Sequence, residues 1–279
     1  MRSAAEIKKL IIDTANKDER IRAVLLNGSR ANPKIQPDPY QDFDIVYVVN
    51  QLQTFTYDHN WVDVFGERII MQLPDEMIFG EKRDDGFGYL MLFKDGNRID
   101  LTLFPADKVK KNYWPDSLTI VWLDKDALFQ SLPKPSDTDY FIKGPTEKEF
   151  QDVCNEFWWV TTYIAKGLLR HEITYAKEKM DTVVRPMYMK VIEWYIGLKT
   201  DFKVAIGEAG RFMPQYLSSE QIENIVSTYA DYVIENNWRA LYVMTESFSE
   251  VAKIVAEELN YKYDIVEDEN VREYLSKLK

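Results

Sequence analysis

The segment DFDIVYVV, residues 42–49, places two aspartates at the head of an apolar run. Alternate residues of a strand face the same way, so Asp42 and Asp44 point to one side, roughly 7 Å apart along the chain. Phe43 and Ile45 point to the other. Two carboxylates held close repel, and one of them tends to protonate. A divalent cation removes that cost. Mg2+ takes hard oxygen ligands and is held by one or two carboxylates together with substrate phosphates. A third acid follows in NRIDLTLF, residues 97–104. There Arg98, Asp100 and Thr102 share one face, while Ile99, Leu101 and Leu103 share the other. An acid in mid-strand, flanked by apolar neighbours, needs a partner or a function.

Upstream, the run IRAVLLNGS ends in Gly28-Ser29. A glycine there lets the backbone approach a ligand, and free N–H groups with the Ser29 hydroxyl can hold phosphate oxygens. Singly, each feature has a plainer meaning. A D-x-D after a loop more often marks a strand edge, a Gly-Ser pair an ordinary turn, and a hairpin acid a solvated one. The order carries more: strand, Gly-Ser, a loop over residues 30–41, two aspartates opening the next strand, then a later strand acid between hydrophobes.

The elements that must hold these residues can be read in outline. AAEIKKLIIDTAN, residues 4–16, spaces Ile7, Leu10, Ile11 and Thr14 for a helix. IRAVLLN, FDIVYVV and ERIIMQL (67–73) read as strands. GYLMLFKDGNRIDLTLF reads as a hairpin turning at Asp95-Gly96, a dipeptide favoured by type I′ turns. The proline-bearing stretch 131–148 reads as a linker. Beyond it the periodicity is helical to about residue 200 and again over 218–260, after a T-E-K-E capping box at Thr146–Glu149. The fold class expected is α+β, with a mixed-sheet domain over 1–135 and a helical bundle over 136–279.

Composition narrows the function classes. The formal net charge is −11, which argues against nucleic acid as a ligand, since that binding rests on phosphate neutralisation by Lys and Arg. An acidic surface suits a small cationic ligand and equally serves solubility. No apolar run approaches the ~18 residues of a membrane span. The N-terminus lacks the pattern of a signal peptide. One cysteine, Cys154, excludes an internal disulfide, and two histidines, His59 and His171, leave little for a zinc site. A cytoplasmic protein is expected. Cys154 is expected to pack as a small hydrophobe, and both histidines to lie at the surface.

In the second half, a helix expected over 147–173 carries two stripes. Phe150, Val153, Phe157, Val160, Ile164 and Leu168 form a core stripe. The other holds Asp152, Glu156, Trp159, Tyr163, Lys166 and Arg170, running from acid through aromatic to base. Its acidic end can bind an ammonium or guanidinium group, with cation–π help from Trp159. Its basic end, at Lys166, can reach phosphates. The plainer reading is that acids and bases complement the helix dipole.

The Gly-Ser, D-x-D and third-acid order resembles the DNA polymerase β-like nucleotidyltransferase superfamily. More narrowly, RIRAVLLNGSRANPKIQPDPYQDFDIVYVV, FGERIIMQLPDEM, IDLTLFP, LDKD at 123–126 and CNEFWWVTTYIAKGLLRHEI resemble the aminoglycoside 6-adenylyltransferases, the streptomycin-modifying family. Two places depart from that pattern: Asn27 stands where a glutamate is expected, and GEAGRF where a lysine-bearing loop is expected. The resemblance implies that Gly28, Ser29 and Arg30 hold the triphosphate of ATP and that Asp42 and Asp44 bind Mg2+. It gives Asp100 either the substrate hydroxyl's proton or a share of the metal. AMP would pass to a hydroxyl of a cationic aminoglycoside, streptomycin by preference, where the two halves of the chain meet. Two rivals are an enzyme of the same superfamily with another acceptor, and a silent ligand-binding protein of the same fold.

Overall fold

A computed structural model describes residues 1–79, 85–112, 115–129 and 132–279. The chain divides into two compact units, Met1–Asp139 and Tyr140–Lys279. The linker expected over 131–148 runs across that division, and its first residue lies outside the described residues.

The first unit is built on a six-stranded mixed sheet. Its elements are α1 (Ala4–Lys17), β1 (Ile21–Asn27), β2 (Phe43–Val49), α2 (Gln53–Thr56), β3 (Arg68–Gln72), β4 (Phe87–Phe93), β5 (Arg98–Pro105), α3 (Ala106–Asn112) and β6 (Ile120–Asp124). The strand order is β3-β4-β5-β2-β1-β6. Only β2 and β5 run parallel; the other neighbours are antiparallel. Alternation along β2 sends Phe43, Ile45, Tyr47 and Val49 into one core, shared with Ile7, Ile11 and Ala15 of α1. It sends Val46 and Val48 into a smaller core with Ala23, Leu25, Phe104 and Val109. Asp44 and Asp100 belong to this second face, at the end where the apolar residues stop. A capping box between Ser3 and Glu6 starts α1.

The β4–β5 connection differs from the expected type I′ turn. That turn needs positive φ at both central residues, and of the two only Gly96 has it, at 84°. Gly96 N–H bonds the Phe93 carbonyl, and Phe93 N–H bonds the Asn97 carbonyl. The loop is therefore the three-residue form with one left-handed glycine.

The second unit is helical: α4 (Glu147–Leu169), α5 (Ile173–Lys179), α6 (Arg185–Lys199), α7 (Ser219–Ser227), α8 (Ile234–Leu259) and α9 (Ile265–Lys277). The Thr146–Glu149 capping box opens α4. Phe150, Phe157, Val160, Ile164 and Leu168 enter the core, and the Phe157 and Phe248 rings stack at 3.6 Å. The helix is shorter than the expected 147–173: it ends at Leu169, and His171 takes a φ of 58° before α5 begins. A π-turn over Met180–Val184 joins α5 to α6, just before Pro186, which has no N–H to donate. No helix among the described residues is long and apolar enough to cross a membrane.

Candidate functional site

Strand pairing assembles the acids. Asn27 of β1 pairs with Asp44 of β2, and Asp44 with Asp100 of β5. A single polar rung thus crosses three adjacent strands at the end of the smaller core. Asp42 precedes β2 by one residue and adds its charge to the cluster. Burial, then Asp100 and Asp42, push the Asp44 carboxyl up to about 6. Burial also raises Asp42, against the pull of Arg98 and Arg30. Asn27 was not picked out as a site residue from sequence. Its Oδ1 accepts from the Thr119 hydroxyl at 2.9 Å. The sequence holds two signals for it: its place next to Gly28 at the end of an apolar run, and its standing where the resemblance expects a glutamate.

Gly28 opens a single 3-10 turn, Gly28–Arg30, with a φ of 70°. A Cβ at this position would collide with the Asp44 carboxylate. The glycine is therefore required both for its backbone conformation and for the acid that rests against it. Ser29 is half-buried, its hydroxyl 3.5 Å from the Gln41 amide. Arg30, expected at the phosphates, is held by the backbone of the following loop. Its guanidinium donates to the Asp42 carbonyl at 3.0 Å and the Gln41 carbonyl at 2.7 Å, and stacks 3.8 Å from the Phe43 ring. It ties the loop to the turn through Nε and Nη2.

Among the described residues no three His, Cys, Asp or Glu side chains form a ready-made group for a metal ion. Arg98 forks onto Asp100 at 2.7 and 2.8 Å and approaches Asp42 at 3.5 Å. The donor set itself suits a hard divalent cation. It is all carboxylate oxygen, and Asp44 accepts no hydrogen bond among the described residues.

On α4 the second stripe is exposed at Asp152, Glu156, Trp159 and Lys166, and half-buried at Tyr163. Asp152 pairs with Lys148 one turn earlier. Trp159 Nε1–H donates to the Tyr163 hydroxyl at 2.7 Å, and the Lys166 amine lies 5.9 Å from the Tyr163 ring. Glu156 has no such partner among the described residues. Arg170 falls at the C-cap of α4 and leaves the stripe. Beside Trp159, a cavity of about 280 Å³ is lined by Asn155, Trp158, Glu267, Val271 and Tyr274. Cys154 is buried, as expected, and burial raises its thiol far above the usual range. His171 is exposed. His59 is not a free surface residue: its ring bridges the Tyr89 hydroxyl at 3.0 Å and Glu76 at 3.1 Å and stacks on Phe87.

The fold is of the α+β class: a six-stranded mixed sheet that carries the acids, followed by a helical unit. Relatives narrow it. The family model for streptomycin adenylyltransferase matches residues 1–278, and the chain belongs to that family. It is 40% identical over 279 residues to the aminoglycoside 6-adenylyltransferase of Campylobacter jejuni, covering 100% of this chain and 96% of the relative. It is 40% identical to that of Bacillus subtilis (strain 168), covering 98% and 97%. The Staphylococcus aureus protein of the same name is 34% identical over 94% of each chain. Among solved structures, the crystal structure of an aminoglycoside 6-adenyltransferase from Bacillus subtilis matches at 35% identity, 100% and 99% coverage and a TM-score of 0.49.

Proposed function

We propose that the protein transfers AMP from ATP to a hydroxyl of a cationic aminoglycoside, streptomycin being the preferred acceptor, and so confers resistance. The observation that carries this reading is the Asn27–Asp44–Asp100 rung beside Gly28, in a chain of the adenylyltransferase family. Asp44 is half-buried among like charges, and its carboxylate accepts no hydrogen bond among the described residues, which is costly unless a ligand supplies the missing cation.

Asp42 and Asp44 would hold Mg2+, joined by Asp100 once its oxygens are free. When bound, the ion neutralises phosphate charge and orients the triphosphate for in-line displacement. The Gly28–Ser29 turn would offer backbone N–H groups and a hydroxyl to the phosphates. The acceptor oxygen bonds to the α-phosphorus, the bond from that phosphorus to the oxygen bridging the β-phosphate breaks, and pyrophosphate leaves. The hydroxyl proton passes to an Asp100 oxygen that the metal does not hold. Glu156 and Trp159 on α4 are assigned to a cationic group of the acceptor.

Mass spectrometry of streptomycin after incubation with ATP, Mg2+ and the protein tests this. A gain of one adenylyl group with equimolar pyrophosphate is expected, and its loss in Asp42→Asn and Asp100→Asn variants that still fold. Pyrophosphate with unmodified streptomycin would move the choice to another acceptor. Neither product would sink the reading.

A further inference from the structure

The least expected feature of the site is the guanidinium lodged in it. Phe43 pairs with Ile99 in the parallel ladder, so Arg98 stands level with Asp42 while Asp100 stands level with Asp44. Three acids and one base occupy two rungs, one on either side of the Phe43–Ile99 pair. The base is shared unevenly. Arg98 Nε donates to Asp100 Oδ1 at 2.8 Å and Nη2 to Oδ2 at 2.7 Å, while Nη1 stays 3.5 Å from Asp42 Oδ2. This bidentate fork engages both oxygens of Asp100 and competes with any other cation for them. Arginine keeps its charge at any working pH, so deprotonation of the guanidinium does not release the pair. The Arg98 side chain is 44% exposed and rises from the first residue of its strand, so solvent lies open beside it.

We propose that Arg98 is the built-in counter-cation of the acid cluster, and that a divalent metal ion gains Asp100 only by displacing it. The inference rests on the metal-site reading above and adds a residue with two stations. Before metal binds, Arg98 is forked onto Asp100. Once displaced, it is free for the negative charge of a nucleoside triphosphate. Two consequences follow from the geometry. The protein alone binds metal more weakly than its carboxylates would allow, because a bidentate pair must break. Metal and triphosphate bind cooperatively, because the released guanidinium gains a new partner only when phosphate is present.

Mn2+ serves as the probe, with the electron paramagnetic resonance signal of the free ion reporting binding without turnover. Arg98→Gln removes both charge and fork; Arg98→Lys keeps the charge and removes the fork. Folding of each variant is checked by thermal unfolding in EDTA. Both are expected to bind Mn2+ at least about fivefold more tightly than the parent, the scale of one partly exposed ion pair. A non-hydrolysable ATP analogue is expected to tighten Mn2+ more in the parent than in Arg98→Gln. Tightening in Arg98→Gln alone assigns the effect to net charge and overturns the displacement. Unchanged or weaker binding in both variants overturns it as well. Asp44→Asn separates the two layers. If it binds Mn2+ as the parent does, the metal-site reading itself fails; if it loses Mn2+ while both Arg98 variants match the parent, only the role of Arg98 fails.

Discussion

The Asp44 carboxylate lies where a Gly28 side chain would have to go. The two residues sit on neighbouring elements, one at the turn after β1 and one at the head of β2, and the second is accommodated only because the first is glycine. Gly28 also holds a φ of 70°, so any other residue there meets strain and a clash together.

Gly28→Ala is therefore expected to cost about 1–2 kcal/mol of stability and at least tenfold in turnover, because Asp44 must move. Gly96→Ala is the matched control. It carries similar strain at a φ of 84°, and its new Cβ meets only the end of the flexible Met1 side chain. It should lose comparable stability and keep its turnover. Thermal unfolding and adenylyl transfer measured on both variants decide the point; equal activity in the two would remove Gly28 from the site.

Asp44→Asn tests the crowding of charge. The folded carboxyl is raised to about 6 by burial and its acidic neighbours, above an unfolded value near 3.9. A raised carboxyl favours folding at low pH, and that contribution is lost as pH rises through about 6. In EDTA the parent should thus lose stability relative to Asp44→Asn between pH 4 and pH 7. The gap should reach about 1–2 kcal/mol after allowance for solvent screening. The variant should be inactive. A stability gap independent of pH would show that the acids do not burden the fold.

Much of this unit was legible locally. The bounds of β2 coincide with the FDIVYVV run because every second residue is core. The start of α4 coincides with its capping box because the signal lies within four residues. What escaped notice depends on distant pairing. β6 is a short, half-buried edge strand, and only its ladder with β1 defines it. Asn27 joins the rung through register, and Arg98 meets Asp42 only because β5 pairs with β2. Sequence placed Arg98 and Asp100 on one face without revealing that they pair. His59 looked like a surface residue because nothing near it in sequence announces Tyr89 or Phe87.

Asp268 anchors the second unit. Its side chain is fully buried. It accepts from the Ser249 hydroxyl at 2.5 Å, the Tyr263 hydroxyl at 3.0 Å and Arg272 Nε at 2.5 Å, with Lys253 at 3.2 Å. Burial pushes the carboxyl up, but the bonds from Ser249, Arg272 and Lys253 outweigh it and hold it below the usual range. A depressed carboxyl contributes stability above its unfolded pKa, lost as pH falls through the folded value. Asp268→Asn should cost about 2–3 kcal/mol at pH 7, below the usual buried-pair figure because both cations reach solvent. The deficit should shrink below about pH 4. Urea unfolding at pH 7 and pH 3.5 measures it, and a parent no more stable than the variant at pH 7 would refute the anchoring role.

The α4 stripe divides its two acids by their surroundings. Asp152 is held by Lys148, which leaves its charge already answered. Glu156 is exposed and without a partner among the described residues, one turn before Trp159, whose side chain is tethered to Tyr163. A fixed aromatic face beside a free carboxylate is suited to an ammonium or guanidinium group. Glu156→Gln keeps size and hydrogen-bonding reach and removes the charge. A charged hydrogen bond is worth roughly 1.5–3 kcal/mol, and exposure brings the expectation to the lower end. The acceptor KM should rise about tenfold with the ATP KM unchanged, and Asp152→Asn should change neither by more than about twofold. If Glu156 merely faces solvent on a surface helix, its substitution shifts stability by a few tenths of a kcal/mol and leaves both KM values alone. Steady-state kinetics with each substrate varied in turn separates these outcomes. An unchanged acceptor KM would return Glu156 to an ordinary solvated position and move the search for the cation-binding residues off this face of α4.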